Sequence, residues 1–164
     1  TVFAKLLYIV PTAYYINEIY EHINSEINKK DDTEMLIHHI ATIILICGSY
    51  QVNALRVGLY ILYLHDINDI LLHISKLFVY NKARTIYSMF VFSIFGISWV
   101  YTRLYIFPFY IVYDVYQYKQ CTITNILSYM LPILMILNII WFGYYLKALK
   151  KSLTGKLEDI REED

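Results

Sequence analysis

The sequence predicts an all-α, polytopic transmembrane helical bundle with about five membrane spans. Three observations carry this. Hydrophobic residues make up 58% of the chain and the mean hydropathy is +0.44, more apolar than a water-soluble domain of 164 residues tolerates. The apolar residues gather in long stretches, each near or above the ~20 residues that a helix needs to cross hydrocarbon. The 18 tyrosines fall mainly toward the ends of these stretches, where an amphipathic ring suits the headgroup layer.

Taken in order, the first span is expected from Val2 to about Asn24, with Pro11 tolerated if neighbours satisfy the freed carbonyl. The polar loop NSEINKKDDTE, Asn24 to Glu34, follows. Asp31, Asp32 and Glu34 there suit the positive end of a second span from about Glu34 to Tyr50. Asn53 opens a third span reaching about Lys76. Its connection to the second is so short that the two must be antiparallel neighbours. The fourth apolar region, about Ala83 to Tyr113, exceeds one crossing and contains Arg103 and Pro108, so a tilt or kink near its end is expected. The fifth, about Thr124 to Leu149, carries Pro132 and Asn138 inside and Trp141 and Tyr144 toward its exit. This organisation reads as one membrane domain over residues 1–152 and an acidic cytosolic tail over 153–164, disordered by composition.

Charge adds orientation. The 14 basic and 14 acidic residues cancel, so no nucleic-acid partner is implied. One set of loops with the tail holds Lys29, Lys30, Lys76, Lys82, Arg84, Lys147, Lys150, Lys151, Lys156 and Arg161, against Lys5 and Lys119 on the other side. The positive-inside tendency therefore puts the C-terminus in the cytosol and the Asp114–Gln120 segment in the lumen. Cys47 and Cys121 show no paired spacing, so neither a disulfide framework nor a zinc site is supported. Thr1 opens no charged leader with a cleavage site; no signal peptide is read, and a missing N-terminal portion is expected.

One stretch resists the apolar pattern. His38, His39, Arg56, His65, Asp66, Asp69 and His73 lie among Ile, Leu, Val and Tyr. A central Asp costs roughly 2.5–3.5 kcal/mol to insert, while a Leu or Ile returns only about half a kilocalorie. At 100° per residue Asp66, Asp69 and His73 share a stripe of the third span, with His65 about 40° from Asp69. His38, Thr42 and Ser49 share a stripe of the second. Antiparallel neighbours can turn these stripes toward each other, giving a buried His–Asp constellation. A neutral imidazole held by a carboxylate suits proton transfer or nucleophilic attack. The alternatives are a hydrogen-bonded structural cluster or a His/Asp metal site. Arg56 lies near a span end, where it can snorkel. Arg103 lies deeper, in reach of an aspartate, and Ser49, Tyr50 and Asn53 can equally serve the tight turn.

The same stretch resembles the longevity-assurance (Lag) motif of ceramide synthases, members of the TLC family: His38-His39, then Ser49, Tyr50, Asn53, Arg56 and Gly58, then His65-Asp66-x-x-Asp69 and Lys76. Lys5 to Tyr15, TRLYIFPFYI at Thr102 to Ile111, and GKLEDIREED at Gly155 to Asp164 are also similar to family segments. The departure is His73, where most such enzymes carry glutamate.

The resemblance implies a TLC bundle, preceded by further spans, in the endoplasmic reticulum membrane. It implies transfer of a fatty acyl group from acyl-CoA to the amine of a sphingoid base. Base or nucleophile falls to His38 and His39, and orientation or electrostatic stabilisation to His65, Asp66 and Asp69. Ser49, Tyr50, Asn53, Arg56 and Arg103 are candidates for substrate contact. No metal is expected, and no cofactor beyond acyl-CoA as co-substrate. Membrane lipid and a homo- or hetero-dimeric partner complete the expected company. A second reading is a non-catalytic TLC protein that binds lipid, escorts cargo or assists translocation. A third is a metal-dependent membrane hydrolase or hydroxylase, disfavoured because one helix cannot easily aim adjacent His38 and His39 at one ion. From the span boundaries, His38 is expected roughly 6 Å and His65 roughly 16 Å inside the cytosolic edge, lining a shaft entered from the cytosol.

Overall fold

The computed structural model describes residues 2–25, 31–80, 85–117 and 122–153, and every described segment outside the short connections is helical. Lys29, Lys30, Lys82, Arg84, Lys119, Lys156 and Arg161, Cys121 and the acidic tail from residue 154 lie outside the described residues. Helix α1 spans Val2–Asn24 and passes through Pro11, with Thr12 Oγ1 donating to the Tyr8 carbonyl at 2.7 Å beside it. Helix α2, Asp32–Gln51, starts with Asp32 and Glu34 in its first turn, where carboxylates complement the helix dipole.

Helix α3 runs Leu55–Tyr80. Its start differs from expectation, since Asn53 lies in the turn and not in the helix. Asn53 adopts φ 58°, a left-handed conformation that asparagine tolerates better than most residues. Its amide donates to the Tyr50 carbonyl at 3.1 Å and that of Ala54 to the Ser49 carbonyl at 2.8 Å. Tyr8 of α1 clamps this turn, its hydroxyl reaching the Leu55 carbonyl at 3.0 Å and Ser49 Oγ at 3.3 Å. Gly58 makes that approach feasible, because a Cβ there would collide with the Tyr8 hydroxyl and Ser49.

The fourth apolar region is one continuous rod with a change of winding. Helix α4, Thr85–Trp99, passes into a π-helical segment, Val100–Val112, and then into the short α5, Tyr113–Gln117. The physical reason lies at Pro108, which has no N–H and whose ring crowds the carbonyl four residues back. The ladder around it slips to wider spacing, and the Tyr113 amide reaches the Pro108 carbonyl. π-helical winding is rare and is found frequently at functional sites. Here the wider winding turns Thr102, Arg103, Phe107 and Ile111 inward. Helix α6, Thr122–Leu153, continues through Pro132.

The bundle is inside-out relative to a water-soluble protein. Ile97, Phe90 and Phe109 are among the most exposed side chains, whereas His38, His39, His65, Asn68, Arg103 and Asn138 are buried. Residues 32–51, 87–117 and 122–151 are long and apolar enough to cross a membrane. Of the five expected spans, α1 and α3 are long enough but miss that level of apolarity. Tyr14, Tyr15, Asn17 and Glu18 dilute α1, and His65, Asp66, Asn68 and Asp69 dilute α3. A core of Ala41, Leu45, Leu64, Phe107, Leu131 and Leu134 joins α2, α3, the π segment and α6. Although α2 and α3 are joined by a tight turn, α2 packs more extensively on α1 and α6, and α3 on α4. The space left between α2 and α3 holds a cavity.

Candidate active site

That cavity, about 470 Å³, extends from His38 and His65 to the α2–α3 turn. Its walls are apolar, with Leu45, Ile46, Leu62, Leu127, Leu131 and Leu134 prominent. Thr42, Ser49, Arg56, Asp114 and Thr124 are among its few polar groups. Its inner end is lined by His38 and His65, with His39 next to His38. The His38 and His65 rings stack with centroids 6.1 Å apart and 23° between planes, and His39 lies 5.7 Å from His38. Tyr15 of α1 closes one side, 6.2 Å from His38 and 5.6 Å from His39. Trp141 of α6 meets His38 edge-on at 5.2 Å, and Phe107 meets His65 at 5.5 Å.

Stacking of His38 on His65 corrects the expectation of two depths roughly 10 Å apart. Helix α3 continues past Lys76 to Tyr80, so its end and the start of α2 do not share one level, and the two rings meet side by side. The cavity they line extends toward the turn end of the bundle, not toward the lysine-bearing ends of α3 and α6.

Hydrogen bonding sets the chemistry of each ring. His65 Nδ1 lies 2.9 Å from the Ile61 carbonyl, which can only accept, so a neutral His65 carries its proton on Nδ1 and presents a bare Nε2 lone pair. That Nε2, together with Nδ1 of His38 and Nδ1 of His39, is buried with no hydrogen-bond partner among the described residues. Buried polar atoms are rarely left open without a reason. Thr42 Oγ1 donates to the His38 carbonyl at 2.8 Å and so leaves the imidazole free of it.

The carboxylates sort by angle around α3. Taking His65 as origin, Asn68 stands about −60°, Asp69 about +40°, His73 about +80° and Asp66 about +100°. Burial follows this order. Asn68 is fully buried and donates to Thr102 Oγ1 and the Leu64 carbonyl, Asp69 is partly exposed, and His73 and Asp66 are exposed. Asp69 pairs with Arg103, whose Nη2 donates to Asp69 Oδ1 at 2.7 Å and to the His65 carbonyl at 2.9 Å. Arg103 Nη1 donates to Asn138 Oδ1 at 3.2 Å, and its guanidinium lies 4.2 Å from the centre of the Trp99 ring. The structure therefore brings together His38, His39 and His65, and joins Asp69 and Arg103 to them through the His65 backbone. It does not bring Asp66 to the histidines. His73 Nδ1 donates to the Asp69 carbonyl at 2.6 Å on the outer face.

Of the remaining candidates, Ser49 and Arg56 line the cavity near the turn. Tyr50 packs on Tyr8 with ring centroids 5.6 Å apart, and Asn53 shapes the turn. Sequence reasoning missed Tyr15, Phe107 and Trp141 as walls of the site, since aromatic residues are common throughout these spans. Asn138 offered a signal, a polar residue deep in an apolar run.

An apolar exterior around a buried histidine cluster and an internal cavity defines an integral membrane protein with an intramembrane polar site. The TLC-domain model matches residues 1–147, and the chain belongs to the TLC-domain family. It is similar to ceramide synthase 1 of Homo sapiens, at 34% identity over 96% of this chain and 49% of the human protein. It is also similar to ceramide synthase hyl-1 of Caenorhabditis elegans, at 30% identity over 95% of this chain and 47% of that protein. Ceramide synthase LOH2 of Arabidopsis thaliana is 31% identical over 97% of this chain and 58% of the plant protein. The chain spans about half the length of the curated relatives it matches. No solved structure matches it.

Proposed function

We propose that this chain forms the reacting part of a ceramide synthase, joining the fatty acyl group of an acyl-CoA to the amine of a sphingoid base. The observation that carries this is the meeting of His38 and His65, with unpartnered ring nitrogens, at the inner end of an apolar cavity, with His39 packed beside His38. Along α2 the cavity runs from His38 to Ser49, about 16 Å at 1.5 Å per residue, and its volume lies in the range of a single small ligand. A fatty acyl chain fits such a channel with its carbonyl at the histidines and its methyl end toward the α2–α3 turn. The TLC-domain relatives named ceramide synthase support the same reading.

The chemistry follows from neutral imidazole. A sphingoid amine is protonated at neutral pH and must lose a proton before attacking a thioester, which a bare imidazole nitrogen accepts. The same nitrogens serve if His38 or His39 first takes the acyl group as an acyl-imidazole. Arg103 and Asp69 act behind them, holding the His65 backbone. The CoA group, too polar to enter hydrocarbon, sits beyond the histidines at the end bearing Lys147, Lys150 and Lys151, which we place in the cytosol of the endoplasmic reticulum. The sphingoid base arrives laterally from the bilayer.

The test is ceramide formation by the full-length protein in native membranes, with a sphingoid base and a panel of acyl-CoAs. Turnover that depends on acyl length is expected, because the cavity is finite. Absence of amide product with every acyl-CoA would overturn the reading and favour a lipid-binding or escort role.

A further inference from the structure

Around the histidines the structure also leaves donors without acceptors. On α6, Asn138 Nδ2 and Trp141 Nε1 are both buried and make no hydrogen bond among the described residues. Spaced three residues apart, they are neighbours on one helix face. The Asn138 amide is oriented by its surroundings. Guanidinium can only donate, so the oxygen faces Arg103 Nη1 at 3.2 Å and the NH2 points elsewhere. The Asn138 backbone is held as well, its carbonyl accepting from Trp99 Nε1 at 3.2 Å. Trp141 is held edge-on against His38, with ring centroids 5.2 Å apart and planes at 81°.

Native proteins seldom bury an N–H without a partner. Two such donors one helical turn apart, one of them on a ring packed against an imidazole, call for an acceptor that arrives with the substrate. We infer that Trp141 Nε1–H and Asn138 Nδ2–H form the oxyanion-binding pair of the acyl transfer, a role that rests on the function proposed above.

In the direct route, the free amine attacks the thioester carbonyl carbon. A C–N bond forms and the carbonyl π electrons move onto oxygen, which the two donors receive. The histidine base removes a proton from the attacking nitrogen. Collapse re-forms the C=O bond and breaks the C–S bond, and CoA leaves as a thiolate that takes the proton from the imidazolium. In the acyl-imidazole route the same oxygen passes through the same position twice. Donors preset for that oxygen stabilise the transition state more than the ground state, because charge on it exists only there.

Two substitutions isolate the donors. Trp141→Phe keeps an aromatic ring against His38 and deletes the N–H, and Asn138→Asp keeps the acceptor for Arg103 and deletes the NH2. In the full-length protein in native membranes, each should lower kcat for ceramide formation by roughly 10²–10³-fold with KM for acyl-CoA little changed. A second readout is the infrared carbonyl stretch of bound acyl-CoA carrying a ¹³C carbonyl. It should lie below that of free acyl-CoA in the unsubstituted protein and shift back toward the free value in Trp141→Phe, which a purely packing role would not produce. Normal turnover in both variants of an active protein, or a carbonyl band unmoved by Trp141→Phe, overturns the inference alone and leaves a buried water as the occupant. An unsubstituted protein inactive with every acyl-CoA overturns the acyl-transfer reading and this inference with it.

Discussion

The α2–α3 turn and the histidine cluster are both polar islands inside an apolar bundle, and they are built in opposite ways. At the turn the Tyr8 and Ser49 hydroxyls and the turn amides all have partners. The Tyr8 hydroxyl donates to the Leu55 carbonyl and Ser49 Oγ to the Ile46 carbonyl, each at 3.0 Å, and the amides of Asn53 and Ala54 close onto α2. At the histidine level, ring nitrogens of His38, His39 and His65, and donors of Asn138 and Trp141, stand open. Polar groups that only hold helices together satisfy one another, because an unmet donor or acceptor costs about 1–3 kcal/mol. Groups left open at that cost are kept for something that comes and goes.

The contrast can be broken at its strongest point first. Arg103 stands between the two kinds of site, with both Nη groups bonded and its Nε open at the histidine level. Arg103→Met removes the partner of Asp69, Asn138 Oδ1 and the His65 carbonyl, and should destabilise the folded protein by about 3 kcal/mol, read from thermal unfolding in detergent. The lower end of the range for a broken buried pair is used because the Asp69 side chain keeps 45% of its exposure. At the turn, Tyr8→Phe keeps the ring and deletes the clamp. It should cost about 1 kcal/mol of stability and leave acyl transfer near normal, measured on the same preparation. A large loss of turnover in Tyr8→Phe without a loss of folded protein would show that the turn is part of the reacting site. The smallest effect is expected at His73, exposed on the outer face of α3. His73→Glu should move stability by no more than about 0.5 kcal/mol and preserve ceramide formation. An inactive His73→Glu would place a base on the face of α3 that the structure turns outward.

Much of this was legible in the residues. The apolar stretches marked the helical rods to within a few residues because length and composition dominate in hydrocarbon. Adjacent His38-His39 on α2 and His65 on α3 implied convergence because the short connection forces the two helices to be neighbours. Periodicity could order the residues of α3 around its axis but not place the axis. Asp66 and His65 differ by one residue and about 100°, and which of them faces inward depends on how α3 packs on α4 and the π segment. The winding change at Pro108 was visible only as a kink, so the inward turn of Arg103 and Phe107 was not readable. Trp141 looked like an interfacial anchor because nothing in one helix reports that His38 of another lies against it.

The central claim, that the open imidazoles carry out acyl transfer, is tested most directly by the double variant His38→Ala/His39→Ala of the full-length protein. It should be assayed for ceramide formation in native membranes at matched levels of inserted protein. Removing costly polar groups should not impair insertion, so the account predicts a normally inserted protein with turnover lowered by at least roughly 10²-fold, the scale of a lost general base. Ordinary turnover in that normally inserted double variant would contradict it.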